Sequence, residues 1–298
     1  MTTTTRTSIS PGRRVRDALA NGTIQTFGCY DAISAKLVQA AGLPMASISG
    51  SMLSASYGFP DIGLLSMSEI AEASGRIAAA VDIPVLADAD TGYGGIPNIV
   101  RAVRVFEGKG VAGIKMEDQV SPKRCAGMGV EKVIEPEEMQ AKIAAAVSAK
   151  QDRDFLIIAR TDSIAATGFK DTLKRIRMYE EAGADMVFVQ RPQSPEQIAE
   201  CASVLSVPLM ISSPEGSNIR LYDLDTHRKL GVAVVVYATS LLLSSAAAMQ
   251  KALERITCAG INEQDLESVY GRKALDKLLC LDSWRQQETD ALGRYLRD

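Results

Sequence analysis

Short apolar runs rich in β-branched residues alternate along the chain with alanine-rich stretches whose apolar positions recur every three or four residues. That alternation is the signature of βα units around a parallel sheet. Eight runs predict strands: 23–29 (TIQTFGC), 45–49 (MASIS), 84–90 (PVLADAD), 112–117 (AGIKME), 155–160 (FLIIAR), 185–190 (DMVFVQ), 208–212 (PLMIS) and 232–237 (VAVVVY). Amphipathic segments follow most of them, among them SMSEIAEASGRIAAA, opened by a capping box from Ser66 to Glu69. The segment after the seventh run, NIRLYDLDTHRKLG, carries a weaker helical pattern. Ala41-Gly42 and Ala182-Gly183, each just before a strand, read as helix C-terminal caps. Eight units in about 240 residues predict a (β/α)8 TIM-type barrel. No GxGxxG follows the first strand, which argues against a doubly wound open sheet.

The polar opening MTTTTRTSISPGRR predicts a mobile tail over 1–14, with the barrel over 15–258. Residues 259–298 hold two further helical patterns, read as a C-terminal oligomerisation segment. The uncharged run 230–250 is long enough to span a bilayer, but VAVVV followed by ATS divides it into a buried strand, a turn and a helix.

Composition changes this picture little. With 298 residues, 46% hydrophobic and 23% charged, the chain reads as an ordinary globular protein. A net charge of -3 without a long basic run excludes a nucleic-acid footprint. Five widely spaced cysteines without a CxxC pair predict free thiols and a cytoplasmic protein.

The chemistry gathers where a barrel of this type keeps its active site, at the carboxyl ends of the strands. Those ends carry Cys29-Tyr30-Asp31, Ser49-Gly50-Ser51, Asp88 and Asp90, Glu117-Asp118, Arg160-Thr161-Asp162, Gln190, Ser212 and Tyr237. In an extended strand Asp88 and Asp90 leave on one side, and two carboxylates so close require a shared cation or proton. Carboxylate ligands without histidine or thiolate predict Mg²⁺, with Mn²⁺ as the alternative. After the fourth strand, glycine-bracketed QVSPKRCAGMGVEKVI places Lys123 and Arg124 beside Cys125, which favours the thiolate and suits a loop that closes over a bound anion. His227, the sole histidine, reads as a surface residue; Trp284 reads as an oligomer contact; Cys201, Cys258 and Cys280 read as apolar fillers.

YDAISAKLVQAAG, ISGSMLSASYGFPDIGLLS, DADTGYGG, EDQVSPKRC, EEMQAKIAAAV and IIARTDS, in that order, resemble the isocitrate lyase and phosphoenolpyruvate mutase superfamily from about Gly28 to Tyr237. Within it the chain resembles in type the 2,3-dimethylmalate lyase and carboxyvinyl-carboxyphosphonate phosphorylmutase-like members. The resemblance implies a (β/α)8 barrel whose last helix is exchanged between subunits, a homotetramer built as a dimer of dimers, and magnesium held largely through water. It makes Asp88 the metal aspartate, with Asp90, Asp61 and Glu117 holding the water shell. Ser49, Gly50 and Ser51 become the turn whose N–H groups bind a substrate carboxylate, Arg160 the arginine at the same end, and Cys125 the general acid, with Tyr30 a candidate base.

The chain also departs from that pattern. The lyase lid usually reads KRCGH, and here Gly127 replaces the histidine; Gln190 stands for a glutamate, Ser212 for an asparagine, and Leu243 for a second arginine of methylisocitrate lyases. The resulting expectation is a Mg²⁺-dependent carbon–carbon lyase acting on a malate-like 2-hydroxy dicarboxylate. Oxaloacetate decarboxylation or hydrolysis, or phosphorus–carbon chemistry, is the alternative; a non-catalytic ligand-binding paralogue is the third reading. The expected partners are small di- or tricarboxylates or 2-oxo acids, with no nucleic acid and no membrane.

Overall fold

The computed structural model describes residues 9–129, 132–213, 222–259 and 269–295. Eight strands close into a barrel in chain order: β1 (Ile24–Cys29), β2 (Ala46–Ile48), β3 (Val85–Asp88), β4 (Gly113–Glu117), β5 (Leu156–Thr161), β6 (Met186–Val189), β7 (Leu209–Ser212) and β8 (Val232–Tyr237). Every pairing is parallel, and β8 closes onto β1. β3, β4, β6 and β7 are buried at every position, as strands must be when side chains cover both faces. Leu86, Leu156, Met186, Met210 and Val234 fill the interior. Larger clusters occupy the space between sheet and helices.

The helices of the barrel are α1 (Pro11–Leu19), α2 (Ala32–Ala40), α3 (Gly50–Ser56), α4 (Met67–Ala79), α5 (Ile96–Gly108), α6 (Pro136–Ala149), α7 (Ser163–Ala166), α8 (Phe169–Glu181), α9 (Pro195–Ser203) and α10 (Leu224–Lys229). The capping box forms as read: Ser66 Oγ accepts from Glu69 N–H, and Ser66 N–H donates to Glu69 at 2.7 Å. Gly42 and Gly183 take the left-handed φ of 77° and 96° that a helix end requires.

Four expectations are corrected. The tail is shorter than 1–14, because α1 starts at Pro11 and buries Gly12 and Val15. Gly12 leaves no room for a side chain: a Cβ there would lie 2.1 Å from the Asp154 carbonyl oxygen. The strand carrying Asp88 stops at that residue, and Asp90 has φ 45°, so the pair does not leave a strand on one face. His227 is buried on α10 against Tyr222, not at the surface. Cys280 is exposed rather than a filler, whereas Cys201 is buried as read; the side chain of Cys258 lies outside the described residues.

Contacts divide the chain into two compact units, Met1–Leu242 and Leu243–Asp298. α11 (Ser240–Ala259) runs unbroken past the expected boundary at 258, and α12 (Arg272–Leu278) and α13 (Leu281–Tyr295) are the two C-terminal helices that were expected. Among the described residues no helix is long and apolar enough to cross a membrane.

Candidate active site

Parallel register sets side chains from neighbouring strands next to one another. Asp88 of β3 pairs with Lys115 of β4, Glu117 of β4 with Arg160 of β5, and Arg160 with Phe188 of β6. Side chains alternate along a strand, so Lys115 and Glu117 leave β4 on the same face as Arg160 on β5. Around them lies a cavity of about 250 Å³ at the carboxyl ends of the strands. Its lining includes Ser49, Gly50, Ser51, Asp61, Asp88, Lys123, Cys125, Arg160, Gln190 and Ser212, so ten of the site residues expected from sequence converge there.

Asp88 is held from two sides. Its Oδ2 accepts the Gly50 N–H at 3.1 Å and its Oδ1 the Asp90 N–H at 3.1 Å. The turn expected to bind a substrate carboxylate therefore binds Asp88 through Gly50; Ser49 and Ser51 meet hydroxyl to hydroxyl at 3.1 Å. Burial opposes the charge on Asp88, yet the ammonium of Lys115, with Lys123 and Arg160, holds it below the usual carboxylate range. Burial pushes Asp90 up to about 6, against the pull of Lys123.

The cation that the paired acids require is supplied in part by the chain itself. Lys123 Nζ lies 2.6 Å from Asp61 and 3.0 Å from Asp90, buried with both. Its ammonium is engaged by these acids, rather than serving the neighbouring thiol as the KRC triplet implied. The loop is tied down elsewhere too: Cys125 N–H donates to Asp61 O at 2.9 Å, and Gln119 exchanges two hydrogen bonds with the Arg124 backbone. Cys125 itself is half-buried and borders the cavity.

Arg160 faces carboxylates as well. Its Nε and Nη2 donate to Asp162 at 2.9 and 3.0 Å, and its Nη1 pairs with Glu117 at 2.9 Å, while the guanidinium lies 5.4 Å from the Phe188 ring centre. Two expected residues sit elsewhere. Tyr30 lines a separate depression with Tyr57 and Arg76, and Asp31 caps α2 through the Ser34 N–H at 2.7 Å. Cys29 fills the core, where burial pushes its thiol up to about 12.

Sequence reasoning missed Lys115, Phe188 and Arg191. Lys115 had a visible signal, an isolated lysine inside an apolar strand run. It is buried, bonded to Ser47 Oγ at 2.9 Å and Ile48 O at 2.6 Å, and burial pulls its ammonium below the ordinary value.

Asp61 and Asp88 bring carboxylate oxygens, the ligands a hard divalent cation takes, to the cavity. Glu117 Oε1 is buried without a hydrogen-bond partner. Among the described residues, however, no three acid, thiol or imidazole groups converge closely enough to ligate one ion directly. The donors present suit a hard cation held mainly through water rather than by a direct cage of side chains.

A closed βα-barrel with a polar cavity at the carboxyl ends of its strands has the layout in which enzymes of this architecture keep their active sites. The chain belongs to the phosphoenolpyruvate phosphomutase family, whose model matches residues 18–257, and it is an enzyme of the lyase kind within the PEP mutase/isocitrate lyase superfamily. It is 37% identical over 223 residues to the 2,3-dimethylmalate lyase of Eubacterium barkeri, covering 74% of this chain and 77% of the relative. It is 34% identical over 276 residues to a probable 2-methylisocitrate lyase 2 of Corynebacterium glutamicum, covering 91% and 90%. A phosphonopyruvate hydrolase solved with oxalate and Mg²⁺ superposes with a TM-score of 0.83 at 30% identity, over 97% of this chain and 100% of the other.

Proposed function

We propose that the protein is a Mg²⁺-dependent carbon–carbon lyase that cleaves a malate-like, substituted 2-hydroxy dicarboxylate into a 2-oxo acid and a carboxylate. The carrying observation is that the Cys125 thiol, Asp88 and Arg160 border one cavity. Magnesium held by Asp88, and through water by Asp61, Asp90 and Glu117, would polarise the substrate hydroxyl and its neighbouring carboxylate. Arg160, clamped by Asp162 and Glu117, presents its remaining N–H groups to that carboxylate in a fixed orientation. A water at the site takes the hydroxyl proton, the C2 oxygen becomes the carbonyl of the 2-oxo acid, and the C2–C3 bond breaks with its electron pair passing to C3. Cys125 then donates its proton to C3, the step for which a thiol acid is needed. Tyr30 lies outside the cavity lining and takes no part in this reading.

A homotetramer with an exchanged last helix belongs to the same reading. It is supported by the apolar side chains that α11 exposes within the C-terminal unit, Met249, Leu253 and Ile256, and by Trp284 on α13. Free cysteines support a reducing, cytoplasmic setting.

Gln190 favours a second reading, 2-oxo acid hydrolysis or decarboxylation. Its Oε1 accepts from Ser212 at 3.1 Å, where the lyase resemblance puts a glutamate. A panel of 2-hydroxy and 2-oxo dicarboxylates with Mg²⁺, followed by coupled assay of 2-oxo acid release, separates the two. Pyruvate or a homologue from a substituted malate is the expected result; carbon dioxide or acid release from oxaloacetate alone would select the second reading.

A further inference from the structure

Four cations border the cavity among the described residues: Lys115, Lys123, Arg160 and Arg191. Three are paired within the protein, Arg160 with only part of its fork left over. Lys115 is bonded to Ser47 and Ile48, Lys123 is paired with Asp61 and Asp90, and Arg160 is paired with Glu117 and Asp162. Arg191 differs: among the described residues it makes no ion pair, and its one hydrogen bond runs from Nη1 to the Ala126 carbonyl at 2.8 Å. A guanidinium carries five N–H donors. Most of its fork therefore remains available to a ligand.

The backbone at this position is also unusual. Arg191 follows Gln190 at the end of β6, and in an extended chain consecutive side chains point to opposite faces. Arg191 instead has φ 56°, a left-handed conformation that disfavours any side chain bearing a Cβ, and this break in the alternation accompanies its place in the cavity wall. Strain of this kind collects at functional sites. Its neighbours in the wall, Gln190, Ser212 and Ser213, are neutral hydrogen-bonding groups that offer an anion no competing carboxylate.

We propose that Arg191 is a specificity residue, the site of the substrate's second, distal carboxylate, with Gln190, Ser212 and Ser213 as its neutral flank. The assignment rests on the reading of the cavity as an acid-binding site and adds to it where the second charge goes. A guanidinium fork matches a carboxylate bidentately, and a site built around such a pair rejects an analogue that lacks the charge. Because the same guanidinium holds the Ala126 carbonyl, a bound carboxylate also draws on the residue next to Cys125, linking recognition of the far end to the position of the acid.

The test measures binding, so that it does not depend on turnover. Malate and its C4 amide, nearly identical in shape and different in distal charge, are titrated in Mg²⁺ into the parent protein and into Arg191→Gln. The parent is expected to bind malate about tenfold or more tightly than the amide. Arg191→Gln should erase that preference while binding the amide within about twofold of the parent. An unchanged malate-to-amide ratio in the variant overturns the proposal, as does a parent that fails to bind malate or to prefer it. If Arg191→Gln does not fold, Arg191→Lys decides on the same pair, because lysine lacks the fork and must show a smaller preference. Tighter binding of 3-phosphonolactate than malate, lost with Arg191, would overturn the carboxylate in favour of a phosphonate. Failure of the lyase reading shows separately, as no 2-oxo acid released from any hydroxy dicarboxylate while the Arg191 preference persists.

Discussion

Glu117 and Asp118 are consecutive in the chain yet serve opposite sides of the barrel wall. Glu117 pairs with Arg160 in the mouth, whereas Asp118 accepts hydrogen bonds from Thr161 at 2.7 Å and from Tyr179 of α8 at 2.8 Å. Asp118 also accepts the Asp162 N–H at 2.9 Å, so it braces the residue that clamps Arg160. Asp118→Ala takes the acceptor from the buried Tyr179 hydroxyl and from the Asp162 N–H, while Arg175 keeps Asp171 at 2.6 Å and the Ile134 carbonyl at 2.7 Å, and urea denaturation should show a loss of about 1–3 kcal/mol. Glu117→Gln should cost clearly less stability and instead blunt the response to Mg²⁺. Equal destabilisation by the two changes would contradict the division of labour.

Metal dependence follows from the donor set. Adding Mg²⁺ to the EDTA-treated protein should raise its melting temperature, since a ligand that binds only the folded state stabilises it. Asp88→Ala should abolish both that rise and turnover while leaving the far-ultraviolet circular dichroism unchanged. Full activity after exhaustive EDTA treatment would sink the metal assignment.

Cys125→Ser keeps the size of the group and weakens the acid. Turnover should fall on the order of 10²-fold, the scale of a lost general acid. Gly127→His is the complementary change: a Cβ at Gly127 meets only Cys125 Sγ at 3.7 Å, an ordinary contact, so folding should be unaffected. An imidazole beside the thiol favours the thiolate, and alkylation of Cys125 by iodoacetamide should accelerate. A serine variant with parental rates removes Cys125 from the mechanism.

His227 makes stability fall on the acid side. Both its nitrogens are buried without hydrogen-bond partners, and burial holds its pKa below 6.5. The unfolded imidazole takes up a proton near pH 6.5 and the folded one only at lower pH. The stability it confers is thus complete above about pH 6.5 and is lost as pH falls toward the folded value. His227→Phe, which keeps a ring against Tyr222, should flatten the pH dependence of the urea midpoint in that range. A parallel pH profile for parent and variant would refute this.

The strands were legible because a strand covered on both faces reads as a continuous apolar run; all eight lie within two residues of their expected ends at either side. Short or half-polar elements were not. α1 hides its buried Gly12 and Val15 among arginines, and α3 and α7 are too short to show a period. In the site, the acids announced themselves, but their directions did not, since Asp90 turns through a left-handed backbone that no alternation rule anticipates. Arg191 escaped for the same reason. Lys123 was visible, but its adjacency to Cys125 in sequence says nothing of the two aspartates that it meets in space.

At the amino-terminal face of the barrel, Val15 of α1 packs with Ile24, Met45 and Leu86, and Arg16 anchors the helix to Asp185 at 2.6 Å. The barrel thus has a plugged floor beneath its cavity. On the proposed lyase reading, the two product fragments leave by the carboxyl ends of the strands, where the Cys125 loop borders the cavity. On that reading the fragment nearer the Cys125 loop departs before the one beneath it, which predicts ordered release, with the deeper product the stronger competitor against fresh substrate.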